Sequence, residues 1–124
     1  MIAAEHLRRG NWLQDGLFYM GYFQVKEIYE DNVKSSDFII PYSDLKGIEL
    51  TEEILIKCGF QIAAGGISYD KDKLSIYFGD TILSGPNGRT YFNSWAILEH
   101  TPKYLHELQN LYFCLVGKEL EIEL

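Results

Sequence analysis

Residues 101–116 constrain the fold of this chain more than any other stretch. Thr101-Pro102 opens a helical pattern, with Thr suited to cap free N–H groups and Pro suited to the first helical position. Tyr104, Leu105, Leu108, Leu111, Tyr112 and Leu115 then recur at helical spacing as a wide apolar stripe. Phe113 and Val116 widen it further, while Lys103, Glu107 and Asn110 fall away from it. A helix this apolar is either deeply buried or touches a partner. Gly117 ends it.

A shorter helix is expected from Thr51. Thr51 is its cap, and Glu52 and Glu53 oppose the positive end. Ile54, Leu55 and Cys58 share one face, and Lys57 suits the negative end. Gly59 is free to take the left-handed conformation that ends a helix, with Phe60 placed to fold back on the last turn.

The residues before Thr51 read as strands and turns. Gly10 to Leu13 starts a strand and Asp15-Gly16 marks a turn. From Tyr22 to Tyr29, Phe23, Val25 and Ile28 alternate partially with Tyr22, Gln24 and Lys26, as in a half-buried strand. Glu30-Asp31-Asn32 is a polar turn. Val33–Ser36 and Asp37–Ile40 are two short strands or one bent one, and Pro41 ends the pairing. Ser43-Asp44-Leu45 reads as one helical turn, left through Lys46-Gly47. Short strands closed by a single helical turn suggest a small SH3-like barrel.

Between the two helices, Ala63 to Gly66 reads as a flexible connection. Ile67–Tyr69 and Lys73–Phe78 form a hairpin around Asp70-Lys71-Asp72. Thr81–Leu83 follows, then a turn at Ser84–Gly88, then an aromatic-rich strand from Arg89 to Leu98. A meander of three or four strands results, and Leu120–Leu124 returns as an edge strand. The class is α+β: a strand-rich N-terminal half, a helix, a β-meander, a C-terminal helix and an edge strand. The 124 residues fit one compact domain over 1–124, with a possible subdivision near residue 50.

Three segments together carry a resemblance. They are Leu7-Arg8-Arg9-Gly10-Asn11-Trp12, Leu50 to Phe60 (LTEEILIKCGF), and His106 to Phe113 (HELQNLYF) followed by Gly117-Lys118-Glu119-Leu120. In order and spacing they resemble a family of small uncharacterised proteins from gut-bacterial genomes and their prophages. Gly65 to Leu98 has no counterpart in that pattern. The resemblance implies a cytoplasmic protein linked to phage or other mobile elements, and it carries over no catalytic residue.

The net charge of −7 disfavours binding to phosphate backbones, since Arg8, Arg9 and Arg89 are the only arginines and form no run. No apolar stretch approaches the ~18 residues of a membrane span. Met1 to Ala4 is too short for the apolar core of a secretion signal, so the cytoplasm is the expected compartment. Cys58 and Cys114 both sit in apolar helical patterns and read as buried, reduced thiols, although their spacing does not forbid a disulfide.

Candidate chemistry lacks its neighbours. His6, His100 and His106, with Glu99 and Glu107, do not make a zinc spacing and read as surface or cap-region residues. Asp70 and Asp72 lack the glycine and the closing glutamate of a calcium loop and read as a hairpin turn. Gly65-Gly66 lacks the Lys and Ser/Thr of a phosphate loop. No catalytic residue, metal site or cofactor is therefore expected. Tyr19, Tyr22, Tyr91, Phe92 and Trp95 are the candidates for a binding surface, if they share a face, and otherwise for the core.

The leading expectation is a non-enzymatic interaction protein that binds a protein partner or itself through an aromatic or acidic surface. The alternatives are a small-ligand or enzymatic domain with its own pocket, and nucleic-acid binding by the barrel-like half.

Overall fold

The structure is a computed structural model that describes residues 2, 4–16, 21–36, 38–63, 68–77, 89–92, 96–98, 101–122 and 124. The class is α+β, with a strand-rich N-terminal half and a C-terminal helix. Backbone contacts divide the chain into two units, one of Met1–Leu50 with Lys103–Leu111, the other of Thr51–Pro102 with Tyr112–Leu124.

The first unit holds two small antiparallel sheets. In one, β1 (Trp12–Asp15) lies between β2 (Tyr22–Gln24) and β6 (Leu45–Lys46). In the other, β4 (Asn32–Lys34) lies between β3 (Glu27–Ile28) and β5 (Ile39–Pro41). The expected strand from Tyr22 to Tyr29 breaks in two because its backbone changes partner. Val25 N–H still donates to Asn11 O at 2.9 Å, whereas Lys26 N–H donates to Lys34 O at 2.8 Å. The alternation survives the break, with Phe23 and Val25 buried and Tyr22 and Lys26 exposed.

Leu7, Leu13, Phe23, Val25, Val33, Ile40 and Leu45 make one buried cluster, with Ile2, Ile28 and Tyr42 packed against it. The expected helical turn is a 3₁₀ turn at Tyr42–Asp44. The SH3-like barrel is not formed. Strands of two to four residues do not carry a continuous ladder round a closed wall, and Pro41 brings no N–H to extend it.

The helix expected from Thr101 starts later, at Leu105, as α2 (Leu105–Val116). Residues 103–105 are held extended instead. Leu50 N–H donates to Lys103 O at 3.0 Å, Leu105 N–H donates to Ile48 O at 2.8 Å, and Glu49 bridges Tyr104. The helix start is then satisfied by Glu107, whose Oε1 accepts from the N–H groups of Lys103 and Tyr104, both at 3.0 Å. Gly117, at φ +84°, ends α2 as expected.

The second unit begins with α1 (Glu52–Lys57). Thr51 Oγ1 accepts from Ile54 N–H at 3.2 Å. At the other end Phe60 N–H donates to Leu55 O at 3.0 Å and Gly59 N–H to Ile56 O at 2.9 Å, with Gly59 at φ +91°. Ile54, Leu55, Cys58 and Phe60 are buried.

A five-stranded antiparallel meander follows: β7 (Gln61–Ala63), β8 (Ser68–Lys71), β9 (Leu74–Tyr77), β10 (Arg89–Phe92) and β11 (Ala96–Leu98). The single strand expected from Arg89 to Leu98 is a hairpin, with Thr90 opposite Leu98. Asp72 and Lys73, both at positive φ, make the two-residue turn between β8 and β9. The described residues of 120–124 form no strand, so the expected terminal edge strand is absent from them; Leu120 is nevertheless buried. Of the flexible connection expected at Ala63–Gly66, Ala63 instead ends β7; residues 64–66, the strand at 81–83 and the turn at 84–88 lie outside the described residues.

Candidate functional site

The β3–β4–β5 sheet has one buried and one open face. In its ladder Ile28 pairs with Val33 and Val33 with Ile40, and this row packs into the core. The neighbouring row is Glu27, Lys34 and Ile39, and strand alternation turns it outward. Tyr29 N–H donates to Asn32 O at 2.8 Å, and Asn32 pairs with Pro41, so Tyr29, Asn32 and Pro41 extend the outer face.

Tyr29, Glu30, Asp31, Asn32, Lys34 and Ile39 line a shallow, open groove of about 470 Å³ on this sheet. Ile39 is 67% exposed and Tyr29 50% exposed, and Phe38, beside Ile39 in the chain, is 54% exposed. Large apolar side chains on a short strand normally turn inward, so this exposure calls for a reason.

Tyr29 is held in place at both ends. Its Oη donates to the Glu27 carboxylate, and its carbonyl accepts from Tyr42 Oη. The Glu27 bond is the main cause that raises the Tyr29 pKa above the ordinary phenol value. The carboxylates of Glu30 and Asp31 sit at the β3–β4 turn, and Lys34 sits at the far end of β4. Among the described residues no ion pair involves Glu30, Asp31 or Lys34.

The aromatic residues expected to form a surface fall in both units or outside the described residues. Tyr22 is 50% exposed on β2 in the first unit. Tyr91 and Phe92 are half-buried neighbours on β10 in the second unit, and alternation sends them to opposite faces of their sheet. Tyr91 meets Tyr77 edge-on, with ring centroids 5.4 Å apart. Tyr19 and Trp95 lie outside the described residues. Tyr29, Phe38 and Ile39 went unrecognised in the sequence. A signal existed in the run Phe38-Ile39-Ile40, since three consecutive apolar residues on one strand cannot all face one core.

A second cluster of titratable groups lies wholly within the second unit. Tyr112 is buried, and its Oη donates to Asp72 Oδ2. Burial is the main cause that pushes its pKa up to about 12, with the Asp72 bond next. The same bond holds the Asp72 carboxyl below its usual value, helped by Lys118 and Lys71. Lys71 Nζ donates to Cys58 O at 2.7 Å and stands 5.7 Å from the centre of the Tyr112 ring. Burial pushes the Cys58 thiol up to about 12, against the opposing charge of Lys71. A thiol held so far from ionisation is a poor nucleophile. The cluster fastens the β8–β9 turn to α2 and caps the end of α1.

Of the two settings expected for His106, surface or cap region, the second holds: it lies in the first turn of α2 and is buried; burial lowers its pKa, its Nδ1 has no hydrogen-bond partner, and its ring stacks on Tyr104 at 5.9 Å. One expectation is corrected. Cys114 is exposed, because it lies off the buried line of Leu105, Leu108 and Tyr112 on α2. Cys58 is buried as expected, and both thiols are free. His6 is exposed as expected, and His100 lies outside the described residues.

Among the described residues no three His, Cys, Asp or Glu side chains are grouped to hold a metal ion, and no helix is long and apolar enough to cross a membrane. Compared with protein-family models, curated proteins and solved structures, the chain matches none of them.

Proposed function

We propose that this chain is a non-enzymatic interaction protein and that it binds through the outer face of the β3–β4–β5 sheet. The observation that carries the reading is Ile39, a large apolar side chain left 67% exposed on a sheet whose other face packs into the core. Covering Ile39 is worth about 1–2 kcal/mol. Tyr29, across β4 from Ile39 on the same groove, offers a ring whose hydroxyl is already engaged, so the ring can be covered with little polar cost. The groove is open and shallow, which suits a protein surface better than a small ligand that must be enclosed.

Affinity capture from the native host tests this reading, using the wild-type chain, an Ile39→Asp variant and a Phe113→Asp control. Circular dichroism first establishes that all three fold alike. Proteins held by the wild type and by the control are expected to be lost from Ile39→Asp. Retention of every captured protein by Ile39→Asp would count against the reading.

A further inference from the structure

We infer that the occupant of this face is an extended, basic segment of a partner protein, which adds to the sheet as a strand beside β5. The inference rests on the interaction face proposed above and adds the chemistry of its partner.

β5 is an edge strand, and among the described residues no strand pairs with its outer side. The hydrogen bonds of β4 fix which backbone groups that side presents. Ser35 N–H donates to Phe38 O at 2.9 Å and Tyr42 N–H to Asp31 O at 3.4 Å, whereas the carbonyls of Asn32 and Lys34 accept from Tyr29 and Lys26. Antiparallel hydrogen bonds alternate along a strand, so Ile40 bonds to Val33 and the backbones of Ile39 and Pro41 point away from β4. The edge therefore offers the N–H and C=O of Ile39 and the C=O of Pro41, which has no N–H. An added antiparallel strand satisfies all three groups. It exchanges two hydrogen bonds with Ile39 and donates one to Pro41.

The side chains decide which kind of strand fits. The added residues opposite Ile39 and Pro41 both turn to the outer face, because paired residues share a face. An apolar residue opposite Ile39 covers it. The residue opposite Pro41 stands at the end of the sheet where Asn32 pairs with Pro41 and the β3–β4 turn carries Glu30 and Asp31. At the other end Glu27 lies opposite Lys34, and their charges offset each other. Arg9 is the weakest influence on Tyr29, beside the strand farthest from β5, and does not line the groove. The charge left over on the groove is thus negative and lies at the turn, where it draws a Lys or Arg opposite Pro41. Since the added strand runs against β5, it reads basic residue, any residue, apolar residue.

Nuclear magnetic resonance titration of the isotope-labelled full chain tests the inference. The probes are an end-blocked Thr-Lys-Thr-Val-Thr peptide, the same peptide with Glu in place of Lys, and the Lys peptide N-methylated at its Val. The Lys peptide is expected to shift the Ile39 amide and its neighbours, with a Kd of about 0.1–1 mM. The Glu peptide and the N-methylated peptide are each expected to bind about tenfold more weakly or worse. On the double variant Glu30→Lys/Asp31→Lys, whose own spectrum reports its fold, the order of the Lys and Glu peptides is expected to reverse.

An Ile39 amide that does not respond to the Lys peptide up to about 10 mM overturns the inference. So do equal affinities for the three peptides, or an order unchanged on the double variant. Shifts at Ile39 that grow with protein concentration alone make a second copy the occupant and overturn it too. If captured proteins are still lost from Ile39→Asp in any of these cases, the interaction face stands and only its occupant is wrong. If they are retained, the face itself is wrong.

Discussion

The side-chain amide of Asn11 donates to Asn110 Oδ1 across 2.9 Å, and the same oxygen accepts from Arg8 Nη1, also at 2.9 Å. Asn110 Nδ2 in turn donates to His6 O at 2.8 Å. Gln109, the residue before it on α2, accepts from Trp12 N–H at 2.8 Å and donates to Gly10 O at 3.0 Å. Two adjacent amides thus hold the segment from His6 to Trp12 to the helix. They supply the backbone hydrogen bonds that this irregular, partly buried segment cannot make for itself.

Replacing Asn110 with Leu removes three of these bonds and leaves the 99% buried Asn11 without an acceptor for its Nδ2. The expected cost is about 2–4 kcal/mol. Urea denaturation should show a lower midpoint with an unchanged slope.

Gly47 allows a close approach inside the first unit. A Cβ there would stand 2.6 Å from Cγ of Tyr104 and 3.0 Å from its Cβ. The base of the Tyr104 side chain cannot swing away, because its backbone bridges Glu49. Gly47→Ala is therefore expected to destabilise by about 1–3 kcal/mol in the same assay.

His106 makes stability depend on pH. Its folded pKa is lowered by burial from the ordinary 6.5, so the unfolded chain binds the proton more readily. Stability is therefore undiminished above the unfolded pKa and is lost as pH falls below it, toward the lower folded value. His106→Phe keeps the ring against Tyr104 and removes the proton. Between about pH 7 and pH 5 the variant's stability should fall less steeply than the wild type's. Parallel pH curves for the two proteins would contradict this account.

The two thiols should differ in reactivity. Cys114 is exposed, while Cys58 is buried with its pKa raised to about 12. Native protein treated with a disulfide reagent at neutral pH is expected to release one equivalent rapidly and the second only after unfolding. Cys114→Ser should abolish the rapid phase.

The parts of the fold that were legible in the sequence are those decided within a few residues. Thr51, Gly59 and Phe60 determine both ends of α1 by local hydrogen bonds, and all three read correctly. The alternation at Phe23 and Val25 also read correctly, since it needs only one buried face. Features set by distant partners did not. Thr101-Pro102 is a sound local helix start, but residues 48–50 hold the next residues extended and delay α2 to Leu105. Asn110 reads as a solvent-facing position until the segment it binds is known. Ile39 reads as an ordinary strand residue, and only the register against Lys34 shows which side it faces.

The central claim, that the outer face of β3–β4–β5 is where this protein meets another chain, is tested most directly by a photo-crosslinking amino acid placed at position 39. Position 62 on β7, where Ile62 is 45% exposed, serves as the comparison. Irradiation in the native host is expected to give a discrete adduct from position 39 and none from position 62. An adduct from position 62 alone, or none from position 39, would contradict the account.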